Sequence, residues 1–314
     1  MKWTISLLAF ASSMVMSIAC GGPALSASEG FVAVPGGKVW YRVMGSGPGT
    51  PLVMLHGGPG GQSCSFSVLE DLAKERPVII YDQLGSGRSE RPSDPSLWRT
   101  DRFVDELVAV RNGLGLRRIH LLGHSWGAAL AVEYLLTKRP DGVRSVIFSS
   151  PLLSTERWLA DARRLRSTLS EPLQAALSRC ESVETADDEA CQGANEAFTE
   201  RFVRGVKVLP DLPACQGSNR NDEIYRQMWG AAEFTATGSL RDFDRTGQLG
   251  ELHLPVLFLA GRHDEAVPET IDGFRSRVPG ARMTVFENSA HSSYRTETAR
   301  YVKVVGDFLR EADH

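Results

Sequence analysis

The chain has 314 residues, 42% of them hydrophobic, enough for one large core or for a core carrying one inserted subdomain. Charged residues make up 23% and the formal net charge is -3. Nucleic-acid binding by counterion release needs a clustered basic surface, and the composition suggests none. Met1-Lys2 and the apolar segment Thr4 to Ala19 read as an export signal. The segment is too short and too serine-rich for a membrane span, which needs about 20 apolar residues. A buried first helix is the alternative. Residues 1–27 are therefore expected to be a signal peptide, cleaved either before Cys20, which would then carry a lipid anchor, or near Ala24 to Ala27. The protein is expected to be periplasmic or secreted, or held at a membrane by that lipid.

Export would place Cys64, Cys180, Cys191 and Cys215 in an oxidising compartment, where four thiols allow three pairings. Cys180 and Cys191 flank the acidic stretch Glu181–Ala190, and joining them would staple a helical hairpin. That pair is preferred to Cys191–Cys215, with four free thiols as the alternative. No CxxC or histidine-rich spacing supports a metal site.

Strands are expected at Phe31–Val34 and Lys38–Val43, joined by a hairpin turn at Pro35-Gly36-Gly37. A buried strand follows at Leu52–Leu55, then a glycine-rich loop and a helix near Phe66–Lys74. Val78–Tyr81 is a strand and Thr100–Leu114 a helix. Ile119–Leu122 is a strand, Trp126–Thr137 a helix and Val143–Ser149 a strand. From about Leu152 to Arg245 the alternation stops and the chain is charged and helix-prone. It resumes with a strand at Pro255–Ala260, a helix near Pro268–Ser276, a strand at Met283–Phe286 and a last helix at Thr296–Leu309. This rhythm calls for an α/β fold with a mostly parallel sheet covered by helices. The expected core is 28–151 plus 246–314, with 152–245 as a helical cap over the carboxyl edge of the sheet, where ligands of open α/β sheets bind. A separate second domain is the alternative reading of the middle block.

Gly123-His124-Ser125-Trp126-Gly127 matches G-x-S-x-G between a strand and a helix. In the α/β-hydrolase fold that turn strains the backbone and lifts the serine hydroxyl above the sheet, making Ser125 the candidate nucleophile. Chain order in this fold is Ser, acid, His. Of seven histidines, His291 lies in the loop after the Met283–Phe286 strand and fits the general base. Asp264 follows the preceding strand and fits the acid that orients it, with Glu265 as its competitor. His56-Gly57-Gly58-Pro59-Gly60 follows another strand, and the N–H groups of Gly58 and Trp126 are the candidate oxyanion donors. A phosphate loop is set aside because no Lys-Ser/Thr follows these glycines.

HGGPG at His56–Gly60, DQxGxGxS at Asp82–Ser89 and GxSWG at Gly123–Gly127 together resemble the proline iminopeptidases. These are exported or cytosolic α/β-hydrolases that remove an N-terminal residue, often proline. The resemblance runs from about Phe31 to the C-terminus. Ala128 departs from it, since a second glycine often stands there. Trp229–Thr235 is similar to a cap segment of the tricorn-associated members. That likeness implies that Glu233 and Glu265 grip the substrate's α-ammonium and that Tyr225 touches the substrate. The expected activity is that of a serine exopeptidase releasing proline or another apolar residue from short peptides, with no cofactor called for. An amino-acid amide hydrolase shares the ammonium grip; an esterase or lactonase lacks it; a non-catalytic binding protein of the same fold would not need the three side chains. Nothing in the sequence sets the oligomeric state.

Overall fold

The computed structural model describes residues 25–181, 189–205, 211–216 and 219–314. The expected export signal and Cys20 fall almost wholly outside them. Eight strands form one sheet: β1 (Ser28–Val34), β2 (Gly37–Met44), β3 (Leu52–Leu55), β4 (Val78–Tyr81), β5 (Ile119–His124), β6 (Val143–Ser149), β7 (Val256–Gly261) and β8 (Arg282–Phe286). Their order is β1-β2-β4-β3-β5-β6-β7-β8. The β1–β2 and β2–β4 pairs are antiparallel and the other five are parallel. Described helices are α1 (Thr100–Gly113), α2 (Trp126–Lys138), α3 (Thr155–Arg166), α4 (Glu171–Arg179), α5 (Glu189–Thr199), α6 (Asp222–Met228), α7 (Pro268–Arg275), α8 (Ser293–Thr296) and α9 (Thr298–Asp313).

Inner strands β3, β4, β5 and β7 are buried along their whole length and mostly apolar, because both faces are covered. Alternate residues go to opposite faces. Val53, Ile79, Leu121 and Val146 pack with Phe103 and Leu107 of α1, Leu130 and Tyr134 of α2, and Ile271 of α7. Met54, Ile80, Leu122 and Ile147 pack on the other side with Phe66, Leu69, Tyr301, Val305 and Phe308. At the opening hairpin Val34 pairs with Gly37, so the loop is Pro35-Gly36 alone, and Gly36 takes φ 94°. That left-handed conformation is why glycine stands there.

Two expected helices differ. Cys64–Lys74 winds as 3-10 turns from an anchored start, since Ser63 donates from both its N–H and its Oγ to Asp82 Oδ1 at 2.8 Å. The last helix runs Thr298–Asp313 instead of Thr296–Leu309 and is parted at Glu297 from a short helix at Ser293–Thr296; Glu297 Oε2 accepts from Asn288 N–H at 3.0 Å and Ser289 Oγ at 2.7 Å. The break thus holds the loop that carries His291.

Between β6 and β7 lies a helical insertion with its own apolar cluster, including Ala162, Leu177, Phe198, Phe202 and Phe234. Cys180 and Cys191 are joined within it, as expected from their spacing. The second bridge is Cys64–Cys215, the pair left once Cys180 and Cys191 join, and it ties the insertion to the core across 151 residues of chain. Hydrogen bonds reinforce it: Gly87 N–H donates to Asn219 O (2.8 Å), Asn221 N–H to Gly60 O (2.7 Å) and Arg88 Nη2 to Ala214 O (2.9 Å).

Closing a long loop removes more freedom from the unfolded chain than closing a short one. The loop-entropy relation gives about 5 kcal/mol for Cys64–Cys215 and about 3 kcal/mol for Cys180–Cys191. Cys64→Ser/Cys215→Ser is therefore expected to lower Tm more than Cys180→Ser/Cys191→Ser. Peptide mapping without reduction should find both bridges, and a reversed Tm order would contradict this account.

Candidate active site

The sheet places four loops on one edge. The chain crosses from β4 over β3 to β5, so the loops after β3 and β5 leave side by side; Leu55 pairs with Gly123 at that point. This is the switch-point crevice of an open α/β sheet. Ser125 follows β5 with φ 55° and ψ −121°, an uncommon conformation for a residue with a side chain. The turn closes only because its neighbours lack side chains. A Cβ on Gly123 would lie 2.3 Å from Gly127 O, and one on Gly127 would lie 2.0 Å from Leu55 O.

Asp264 follows β7 and His291 follows β8, and both are buried. His291 Nδ1 lies 2.8 Å from Asp264 Oδ1 and 4.0 Å from Glu265 Oε1. The geometry thus selects Asp264 over Glu265 as the partner. Since the carboxylate accepts, Nδ1 carries the proton and Nε2 is left with its lone pair. Asp264 is fixed in turn by Ala266 N–H at 2.8 Å. Burial works against a charged His291. The charge and hydrogen bond of Asp264, with Glu233 behind them, outweigh it and hold the imidazole above its ordinary value of 6.5. The His124 ring lies 4.7 Å from that of His291, and burial with the nearby His291 charge holds His124 well below the ordinary value.

The oxyanion-loop residues form a connected network. Gln83 N–H donates to His56 Nε2 at 3.0 Å, which leaves the His56 proton on Nδ1 for Gly57 O at 2.8 Å. Gln83 Nε2 donates to His56 O at 3.1 Å and its Oε1 accepts from Trp126 Nε1 at 2.9 Å. Gly57 passes so close to Ser125 that a Cβ on it would lie 3.0 Å from the serine Cβ. Gly58 has φ 122°, and no turn or loop carbonyl among the described residues takes up the N–H of Gly58 or of Trp126.

The insertion closes over this edge. Phe202 O accepts from Glu265 N–H and Val203 O from His291 N–H, both at 3.1 Å. Trp158 sits edge-on to His291, 5.8 Å between rings, and its Nε1 donates to Glu233 O at 3.2 Å. Glu265 is buried, and its Oε2 has no hydrogen-bond partner among the described residues. Burial, then the charges of Glu233 and Asp264, raise its carboxyl well above the usual range. The buried Tyr225 hydroxyl faces the same carboxylates, and is pushed up by burial, by the charges of Glu233 and Glu265 and by its hydrogen bonding with Glu233. No lysine or arginine stands among the groups that shift Glu265. The structure therefore gathers Ser125, Asp264, His291, Gly58, Trp126, Glu233, Glu265 and Tyr225 around one edge of the sheet. Sequence reasoning missed Gln83 and His56, which lay inside quoted motifs, and Trp158, for which no local signal existed.

A family model described as the alpha/beta hydrolase fold matches residues 50–298. The chain is 48% identical over 284 residues to a proline iminopeptidase of Heyndrickxia coagulans, covering 90% of this chain and 98% of that protein. The chain belongs to the proline iminopeptidase family of α/β-hydrolases. A crystal structure of the proline iminopeptidase of Mycobacterium smegmatis superposes with TM-score 0.80 at 32% identity, over 91% of this chain and 99% of that one. The crystal structure of VinJ gives TM-score 0.84 at 32% identity, over 92% and 100%. As in any α/β-hydrolase, the sheet edge rather than the fold itself must carry the chemistry.

The charges around His291 lead to a direct expectation. Its ring should titrate above 6.5, and Asp264→Asn should lower that value by more than Glu233→Gln does. Imidazole NMR across pH measures this; an unmoved titration in Asp264→Asn would contradict the pairing.

Proposed function

We propose that the protein is a serine exopeptidase that releases an N-terminal proline, or another apolar residue, from short peptides. The observation that carries this reading is the unpaired buried carboxylate of Glu265 beside Glu233 and His291. An ionised carboxylate out of water is stable only with a partner, and a peptide's α-ammonium is a cation of the right size and hydrogen-bonding capacity. A prolyl N-terminus offers two N–H donors, one for each glutamate. The names of the relatives agree with this reading.

Ser125 attacks the scissile carbonyl while His291 Nε2 takes its proton. Asp264 holds the other ring nitrogen and stabilises the imidazolium. The oxyanion rests on the N–H groups of Gly58 and Trp126, each worth about 2.7–4 kcal/mol in such a site. His291 then protonates the leaving amine, and water releases the acyl group by the reverse path. Because Glu233 and Glu265 hold the ammonium beside His291, only a chain terminus can put its first carbonyl on Ser125. The enzyme thus trims residues one at a time. Tyr225 packs at the same spot and contributes a wall to the pocket. We further propose that residues 152–245 act as a cap and that the protein is exported. Support for export comes from the N-terminal apolar segment and from two disulfides, which persist in oxidising compartments. Lipidation at Cys20 would then anchor it to a membrane.

A lost charge-assisted hydrogen bond costs about 1.5–3 kcal/mol, so Glu233→Gln and Glu265→Gln should each lower kcat/KM on prolyl anilide by roughly 10- to 100-fold. Both variants should keep most of their activity on an uncharged acetate ester, and wild type should prefer prolyl anilide to its N-acetyl form. Equal losses on both substrates would assign the glutamates to the fold, and a preference for the acetylated anilide would favour the esterase reading.

A further inference from the structure

Gln83 occupies a place that the reaction scheme does not explain. Its side chain is 1% exposed and uses both ends of its amide. One end donates to His56 O, in the loop that leads to Gly58; the other accepts from the indole of Trp126. The backbone N–H of Gln83 holds the His56 ring, and that ring holds Gly57 O. The two N–H groups that face the developing oxyanion come from separate loops, after β3 and after β5. No hydrogen bond among the described residues joins those loops directly at this point, and Gln83 spans them.

Three features fix the amide in this orientation. Trp126 Nε1 can only donate and His56 O can only accept, so the amide oxygen and nitrogen cannot exchange places. The indole is fully buried and packs edge-on against Phe103, 5.8 Å between ring centroids, so it cannot swing away. The backbone of Gln83 is set by Asp82, whose carboxylate accepts from Ser63 N–H, Ser63 Oγ and Arg88 N–H, each at 2.8 Å. Asp82 thereby ties the position of Gln83 to the stretch that begins at Cys64, the core anchor of the insertion.

We propose that Gln83 is the positioning residue of the oxyanion hole: it sets the separation and aim of the Gly58 and Trp126 N–H groups by clamping their two loops together. It does not touch the substrate. This inference rests on the assignment of Ser125, Gly58 and Trp126 above. Donors aimed at the tetrahedral oxygen matter in the transition state far more than in the ground state. Misplacement by about 1 Å is enough to cost on the order of 100-fold in rate. Loosening the clamp should therefore lower kcat and spare ground-state binding.

The test uses the full enzyme in five forms: wild type, Gln83→Leu, Gln83→Glu, Trp126→Phe and the Gln83→Leu/Trp126→Phe double variant. Gln83→Leu breaks both bonds. Gln83→Glu keeps an acceptor for the indole and loses the donor to His56 O. Trp126→Phe removes only the indole donor and keeps the backbone N–H. Two ligands are measured beside kcat and KM on prolyl anilide: proline, as a ground-state ligand, and a prolyl boronic acid, which forms a tetrahedral adduct on the serine. Gln83→Leu should lose roughly 10- to 100-fold in kcat with KM and proline affinity within about twofold of wild type. Boronate affinity should fall in parallel with kcat/KM, and Gln83→Glu should fall between Gln83→Leu and wild type. In the Gln83→Leu/Trp126→Phe double variant the losses should be less than additive, because both changes break the same clamp. Boronate affinity unchanged in Gln83→Leu, proline affinity falling as far as kcat/KM, or fully additive losses would each overturn the proposal. Failure of wild type to bind the boronate would instead overturn the serine mechanism on which it rests.

Discussion

A carboxylate removed from water with half of its hydrogen-bonding capacity unused is costly, and Glu265 is such a group. The surroundings of Glu265 add to the cost, because Glu233 and Asp264 repel its charge. No lysine or arginine relieves it among the described residues. Structural stability alone would favour an apolar side chain at this position. The arrangement makes physical sense if a cation arrives with the substrate. The same glutamates then explain the neighbouring histidine, since Glu233 helps to hold His291 above its ordinary value. Glu233, Glu265 and His291 thus share one electrostatic field.

The fold supplies the precision that this field needs. Asp264, Glu265 and His291 stand on loops that leave adjacent strands β7 and β8, so their separations follow from strand spacing. The insertion adds a second constraint from above. Its Glu200–Arg204 π turn accepts the N–H groups of Glu265 and His291 through the carbonyls of Phe202 and Val203. Trp158 joins the Glu233 loop to the His291 ring from another part of the insertion. The insertion is itself fastened to the core through Cys64–Cys215 and through the loops that follow β3 and β4. Movement of the insertion would therefore reach the base, the acid's neighbour and the oxyanion loop together.

Much of this was legible in the chain. Strands β3 and β7 are continuous apolar runs, the pattern that a parallel sheet buried on both faces favours. The positions of Ser125, Asp264 and His291, each after a strand, were legible from the order that the fold dictates. The closeness of Glu233, Glu265 and Tyr225 was expected only by resemblance, since a glutamate in a helix-prone segment is ordinarily a solvated charge. Cys64–Cys215 was not singled out, because its partners are 151 residues apart and nothing local draws them together; it is the pair that remains once Cys180 and Cys191 join. The last helix starts at Thr298, two residues later than expected, because Glu297 is engaged by Asn288 and Ser289, a tertiary contact that the local pattern does not show. Gln83 lay within a quoted motif, but its two partners become visible only when β3, β4 and β5 stand side by side.

The central claim is that the substrate's ammonium is what lets Glu265 give up its proton. Calorimetric titration of prolinamide into the Ser125→Ala enzyme at pH 6, in two buffers of different ionisation enthalpy, measures it directly. The account predicts net proton release on binding, because burial and its acidic neighbours raise the Glu265 carboxyl and a bound cation lowers it again. It further predicts a smaller release in the same enzyme carrying Glu265→Gln. Binding without proton release, or release of the same size in the Glu265→Gln form, would contradict it.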